Sequence, residues 1–498
     1  MSNRLKRLGS VAIGQRPTST WFLLALLLAI FAWPRGAAAI PVFNRQTGQN
    51  CVACHAGGQF PELTPYGRLF KLTGYTIGKR AAVPLAFMAV GSLSSVRNTS
   101  KSDDPSADFQ KNDKPIFATA SVFAGGRISD NLGAFVQYTY DPYASQDANG
   151  KFHGHASADN MDFRYADRIF GASHDIIFGV SANNNPSVSD PWNTVPAWTQ
   201  YVPVPSPTSS QFIDGATPYP GLAAGGNIAG LTAYAFVDRM VYIDVGAYRT
   251  ARALGALFKA GVANADMTRL RGNNPYWRVA LNREWGPSSL MIGGYGMTAA
   301  IYDDPLDTSD PATLHHYRNS AIDAQYQYLL DPDALTVQAT FWRQQHDYPA
   351  FLANQANPFV DAHGNPLAPT SARDNLRLVR VKASYVWHAR YGGSLAAFDL
   401  TGSTNTINQS SGYDPVTGTI TSDPSATAPS LRVNGNLSGN PATRGLTAEA
   451  FWLPLQNLRV GAQYTAYQRY NGAATNYDGF GRNAHDNNSL FVYVWVSY

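Results

Sequence analysis

The chain has 498 residues, with Lys+Arg 38 against Asp+Glu 34, 14% charged residues, 12% aromatic, 43 Gly and 2 Cys. Two cysteines exclude a disulfide scaffold, 44% hydrophobic residues exclude disorder, and the glycines and prolines follow no collagen period. A soluble domain usually carries about 25% charged residues, so the charge deficit needs a structural explanation.

The formal net charge of +4 belongs to the first 39 residues, which hold Arg4, Lys6, Arg7, Arg16 and Arg35 and no acidic residue. Without them 33 basic side chains face 34 acidic ones, a net of −1, and global electrostatics give no support for nucleic-acid binding. This stretch reads as an export signal. It has a cationic start, an apolar core from Trp21 to Trp33, a break at Pro34 and Ala37-Ala38-Ala39 before the expected cleavage point. The apolar core falls short of the roughly 20 residues that a spanning helix needs.

Next comes Cys51-Val52-Ala53-Cys54-His55, the C-x-x-C-H spacing that attaches a c-type haem. Two thiols one helical turn apart can form thioethers with the two vinyl groups of a single haem, and the adjacent histidine then lies under the iron as proximal ligand. A redox dithiol calls for a βαβ context and zinc for further Cys or His ligands nearby, and neither is present. Residues 40–82 contain no second histidine and no methionine, so any distal ligand must come from further along the chain. Met88 is the nearest candidate, an apolar strand residue being the alternative reading. Met161, Met240, Met291, Met297, His153 and His155 are others, and an open site would point to ligand chemistry instead. Arg45, Arg68, Lys71, Lys79 and Arg80 read either as partners for haem propionates or a redox protein, or as solvated charge. A segment of this size is too short to bury a haem alone and needs a wall from elsewhere.

From Val83 to Tyr498 short alternating segments are separated by turn residues, the signature of a transmembrane β-barrel. Sixteen strands are expected, starting near 83, 115, 131, 157, 174, 229, 240, 275, 288, 316, 334, 376, 393, 444, 457 and 489. Tight turns such as Asp238-Arg239, Gly286-Pro287 and Gln456-Asn457 alternate with long polar loops, the asymmetry of short periplasmic turns and longer external loops. In Leu335–Phe341 and Val379–Trp387 apolar and polar residues take opposite parities, one face for lipid and one for a polar lumen. The rival architecture, a pair of soluble β-sandwiches, does not account for the low charge or for the loop asymmetry. The Pro-rich stretch 185–228 is the longest loop and either enters the mouth or stays outside. Asp303, Asp304, Asp307 and Asp310 before His315 and His316, and Asp103, Asp104, Asp108 and Asp113 in the first loop, could attract cations but read first as solvated surface. Arg459 and Gln463 read as pore lining.

Phe43-Asn44-Arg45-Gln46-Thr47-Gly48 before the haem motif, Phe60-Pro61-Glu62-Leu63-Thr64-Pro65-Tyr66-Gly67-Arg68 after it and then Phe70-Lys71-Leu72-Thr73-Gly74-Tyr75 resemble the fused monohaem cytochrome–porin family of the outer membrane, known from iron-oxidising bacteria. The likeness covers about residues 40–80. It implies an all-β protein: a sixteen-stranded antiparallel barrel (83–498) with a small c-type haem segment (40–82) in or at its periplasmic mouth, after a signal peptide (1–39). It further implies one covalent haem c on Cys51, Cys54 and His55. Electrons would pass from extracellular Fe(II) or another reductant to a periplasmic cytochrome, a one-electron oxidoreductase activity. The expectation from another class is a diffusive porin in which the haem segment is a plug, gate or sensor.

Overall fold

The alternating segments form sixteen strands, and their order settles the architecture. In the computed structural model, residues 41–58, 62–98, 113–147, 151–193, 227–264, 267–302, 304–311, 314–347, 373–404, 440–477 and 481–498 are described. The export segment, Phe60, Pro61, Asp103, Asp104, Asp108, Asp303 and residues 194–226 of the Pro-rich stretch lie outside them. The strands are β1 Leu85–Val96, β2 Pro115–Arg127, β3 Leu132–Gln146, β4 Phe152–Phe170, β5 Asp175–Asn183, β6 Ile228–Val237, β7 Val241–Thr250 and β8 Asn274–Trp285. They continue as β9 Ser288–Tyr302, β10 Leu314–Leu330, β11 Asp333–Asp347, β12 Arg373–Trp387, β13 Tyr391–Gly402, β14 Thr443–Leu455, β15 Leu458–Arg469 and β16 Ser489–Ser497. Each pairs antiparallel with its chain neighbours, and β1 closes on β16 with Met88 opposite Ser497 and Val96 opposite Ser489. Closure leaves no unpaired strand edge, the condition for a sheet to stand in hydrocarbon.

Side-chain parity sorts the two faces as expected. Phe341, Val379, Val381, Ile292 and Leu395 point outward and are exposed, whereas Thr336, Thr340, Gln344 and Gln327 point inward and are buried. In β16 the inward parity belongs to Phe491, Tyr493 and Trp495 and the outward one to Leu490 and Val494. Outward Phe170, Trp285, Tyr328, Tyr385, Trp387, Tyr391 and Trp452 gather at the short-turn end, with Tyr140, Trp277 and Tyr464 nearer the other, as interfacial girdles require. The fold is thus a transmembrane barrel of the bacterial outer-membrane type, and the low charge of the sequence is the cost-free composition of a wall facing lipid.

The connections after β2, β4, β6, β8, β10, β12 and β14 are short, those after the odd strands are long except for the one between β3 and β4, and both ends of the barrel sheet lie at the short-turn side. Asp238 and Arg239, like His388 and Ala389, have positive φ at consecutive positions, the twist-matched geometry of tight hairpins. Expected strand starts fall within three residues of those observed except for β4, which begins at Phe152 rather than 157. Its first residues, around Gly154, pair with β3 across a register shift between Asp141 and Ser145, which breaks the alternation that marks a strand in sequence.

The long connection after β5 turns inward at its start. Asn184 to Asp190, including the short helix at Pro186–Ser189, and Trp192 are buried inside the barrel. There Asp190 meets Arg278 of β8 at 3.2 Å, and Arg278 also meets Asp323 of β10 at 2.8 Å, all three side chains fully buried. Arg164 and Asp162 of β4 form a second buried pair at 2.8 Å. Arg459, expected as pore lining, is tied to Glu449 at 2.7 Å and to the inward-facing Tyr493 hydroxyl at 2.7 Å.

Candidate cofactor site

Among the described residues three short helices precede the barrel: α1 Pro41–Thr47, α2 Cys51–Cys54 and α3 Pro65–Leu72. In α2 the i, i+3 spacing puts both thiols on one helical face, and neither cysteine is in a disulfide. The chain then turns back, with the Ala56 amide donating to Glu62 O and the Thr64 amide to Cys54 O, both near 3 Å. Thr64 caps α3 by accepting from the Gly67 amide, and Pro65 occupies the first turn, where its missing N–H costs nothing. At the other end the Tyr75 amide reaches Phe70 O and the Gly74 amide reaches Lys71 O, a Schellman closure that sets Gly74 at φ +73. Gly67 is dictated by proximity: a Cβ there would stand 2.1 Å from Cys54 O, so only glycine lets α3 lie against α2.

This segment is built into the lumen at the short-turn end. Arg68 donates to Gln327 of β10 at 2.8 Å and pairs with Glu284 of β8 at 3.4 Å. Lys382 of β12 pairs with Glu62 at 2.9 Å, the Tyr75 hydroxyl donates to Asp162, the Tyr234 hydroxyl donates to Leu72 O, and Lys71 Nζ donates to Asp190 O. Gln46 donates to Tyr75 O and accepts from the Arg127 amide. Arg68 and Lys71, which could have been solvated charge, are therefore buried wall contacts, while Lys79 and Arg80 are exposed. Burial, aided by the charge of Arg164 and opposed by Asp162, Asp190 and Asp244, pushes Lys71 down to about 7.

Between the segment and the barrel wall lies a cavity with about 1040 Å³ of empty space, counting its part open to solvent. Cys51, Cys54 and His55 line one side with Phe43, Phe70 and Tyr75; Phe87, Met88, Phe123, Phe135 and Trp495 line the barrel side. Of the proposed distal groups, Met88 alone is in this lining. Met161, Met291 and Met297 are buried elsewhere, Met240 is exposed in the turn between β6 and β7, and His153 and His155 are exposed. Burial, partly offset by Glu62, holds the His55 imidazole neutral with its pKa pushed down to about 4, and His55 Nδ1 is buried without a hydrogen-bond partner. Burial, with a contribution from Cys51, raises the Cys54 thiol to about 11. Two thiols outside any disulfide, a neutral imidazole, a thioether and an aromatic wall fit a covalently attached haem. Lys71 is the one charged side chain in that lining, a signal that its place in the sequence did not single out from its four neighbouring cations. No group of three or more metal-binding His, Cys, Asp or Glu side chains occurs among the described residues, so the acidic-loop clusters do not assemble into closed sites there.

No family model matches the chain, and no curated protein sequence matches it. Solved structures of similar architecture include OmpF of Salmonella typhi in complex with daunomycin (12% identity, TM-score 0.43, covering 83% of this chain and 97% of that one). They also include the outer membrane channel DcaP of Acinetobacter baumannii (10%, 0.39, 83% and 96%) and an anion-selective porin from Comamonas acidovorans (8%, 0.37, 83% and 98%). The assignment of this chain as a porin-like outer-membrane barrel rests on its own closed strand order and outward apolar band.

Proposed function

We propose that this protein is an outer-membrane electron conduit, in which residues 40–82 form a c-type cytochrome segment fixed in the periplasmic mouth of the barrel. The observation that carries the reading is the common cavity of Cys51, Cys54, His55 and Met88. Cys51 and Cys54 would hold the haem through thioethers, and His55 and Met88 would be the side chains offered to its iron. Phe43, Phe70, Phe135 and Trp495 would exclude water, and Lys71 would stand ready to neutralise a propionate. When bound, the haem supplies one-electron exchange, which lets the barrel link an external reductant, Fe(II) on the family resemblance, to a periplasmic cytochrome across an apolar band about 25 Å tall.

The test is an anaerobic stopped-flow experiment on the detergent-purified, haem-loaded chain, mixed with Fe(II) at acidic and neutral pH. Fast, saturable reduction of the haem bands is expected. Reduction by dithionite but not by Fe(II) rejects iron as donor. Met88→Ala is expected to lower the midpoint potential by on the order of 0.1 V, a fraction of the ~0.8 V that axial ligation can span; an unchanged potential in a redox titration assigns the distal position to another group.

A second reading, a diffusion pore with the segment as plug or gate, is favoured by the contacts that the segment makes with β4, β6, β8, β10 and β12 across the mouth. It predicts a bilayer conductance that depends on deletion of residues 40–82 or on haem redox state, neither of which the conduit requires.

A further inference from the structure

The long-loop end of the lumen carries a histidine pair that the site above does not use. His315 is the second residue of β10 and His346 the next-to-last of β11, so both stand where the strands meet the long connections. Both take the inward parity. On β10 His315 and Tyr317 share the face of buried Asn319 and Ala321, opposite exposed Ile322; on β11 His346 shares the face of buried Trp342 and Gln344, opposite exposed Phe341. His316, adjacent in sequence, takes the outward parity and is exposed.

The two rings are stacked with centroids 5.1 Å apart, and His315 Nδ1 lies 2.9 Å from His346 Nε2. Tyr317 stacks on His346 with centroids 4.1 Å apart and nearly parallel planes. Asp374, buried on the same inward face, is the cross-strand partner of His346 on β12, and Ser403 Oγ donates to its carboxylate at 2.8 Å. The 2.9 Å separation serves a hydrogen bond between neutral rings. It equally matches two imidazole nitrogens in cis positions on one octahedral metal ion, given metal–nitrogen distances of about 2.1 Å. Each ring can carry its remaining proton on its other nitrogen, so ligation requires a change of tautomer rather than loss of charge.

The geometry points to a binding site for a divalent first-row transition ion at the external mouth, with His315 Nδ1 and His346 Nε2 as its protein ligands and Asp374 as a neighbouring negative charge. No closed set of three ligands is present among the described residues, and the proposed site has two protein ligands with its other positions left to water. Two imidazoles with open positions suit an ion in transit, which must be released, better than a structural ion, whose site is closed. The site stands independently of the haem reading, since no residue is shared between them.

The test is calorimetric titration of Zn²⁺ into the full chain in detergent, with Co²⁺ absorption as a second readout. Wild type should show one saturable event that weakens at least tenfold in His315→Gln and in His346→Gln, both of which keep a polar side chain of similar reach, and that persists in His316→Gln. Equal affinity in wild type and both luminal variants, or no saturable binding at all, overturns the assignment. If binding is lost in the luminal variants while covalent haem content is unchanged, the metal site holds whatever the role of the haem segment.

Discussion

Replacing Cys51 and Cys54 together with alanine should abolish covalent haem entirely while leaving the barrel intact. The two thiols lie on one face of α2 and line the cavity, and α2 itself is held by bonds that do not use them: the His55 amide to Cys51 O, the Thr64 amide to Cys54 O and the packing of Gly67 against Cys54 O. Only thioethers survive boiling in detergent, so the readout is haem peroxidase staining of the chain on a denaturing gel after expression with a cytochrome c maturation system. Wild type should stain and the double variant should show none; each single variant should retain haem weakly through one bond. A wild-type chain without covalent haem under these conditions would reject the cytochrome reading and leave the plugged pore.

The second large effect concerns Arg278. Its guanidinium bridges Asp190 of the inward loop and Asp323 of β10, with no solvent exposure at any of the three side chains. Removing one member of such a set leaves buried carboxylates without compensation, which typically costs about 3–5 kcal/mol. By contrast, Arg444 and Asp399 form an exposed pair whose loss should cost less than about 1 kcal/mol. Arg278→Met should therefore destabilise the barrel by several kcal/mol in urea unfolding from lipid vesicles, and Arg444→Met by little. Adding Asp190→Asn and Asp323→Asn to Arg278→Met should recover most of the loss, because neutral amides carry a smaller desolvation penalty than charges. Equal effects of the two arginine substitutions would contradict the fully desolvated geometry.

Periodicity and spacing determined much of this protein by themselves. Period-two alternation marks strands because successive side chains of a strand must face opposite sides, and lipid on one side makes that alternation strict. Fifteen of the sixteen strand starts were legible to within three residues for this reason; β4 was less so, because the register shift opposite its first residues interrupts the period. The C-x-x-C-H motif stands in five consecutive residues, and the haem attachment proposed for it follows from covalent reach over that spacing.

The tertiary structure decided what depends on distant residues meeting. Met88 was singled out in sequence only by being nearest, and the closure of β1 on β16 against the helical segment puts it in the same cavity lining as Cys51 and His55, which Met161 and Met291 are not. Arg68 and Lys71 look like surface cations in sequence, yet Glu284, Gln327 and Asp190, more than a hundred residues away, bury them. The inward turn of Asn184–Trp192, the Arg278 bridge and the His315–His346 pair follow the same logic. Their energies come from desolvated charge and hydrogen-bond partners on different strands, and barrel closure, not sequence proximity, fixes which strands face one another.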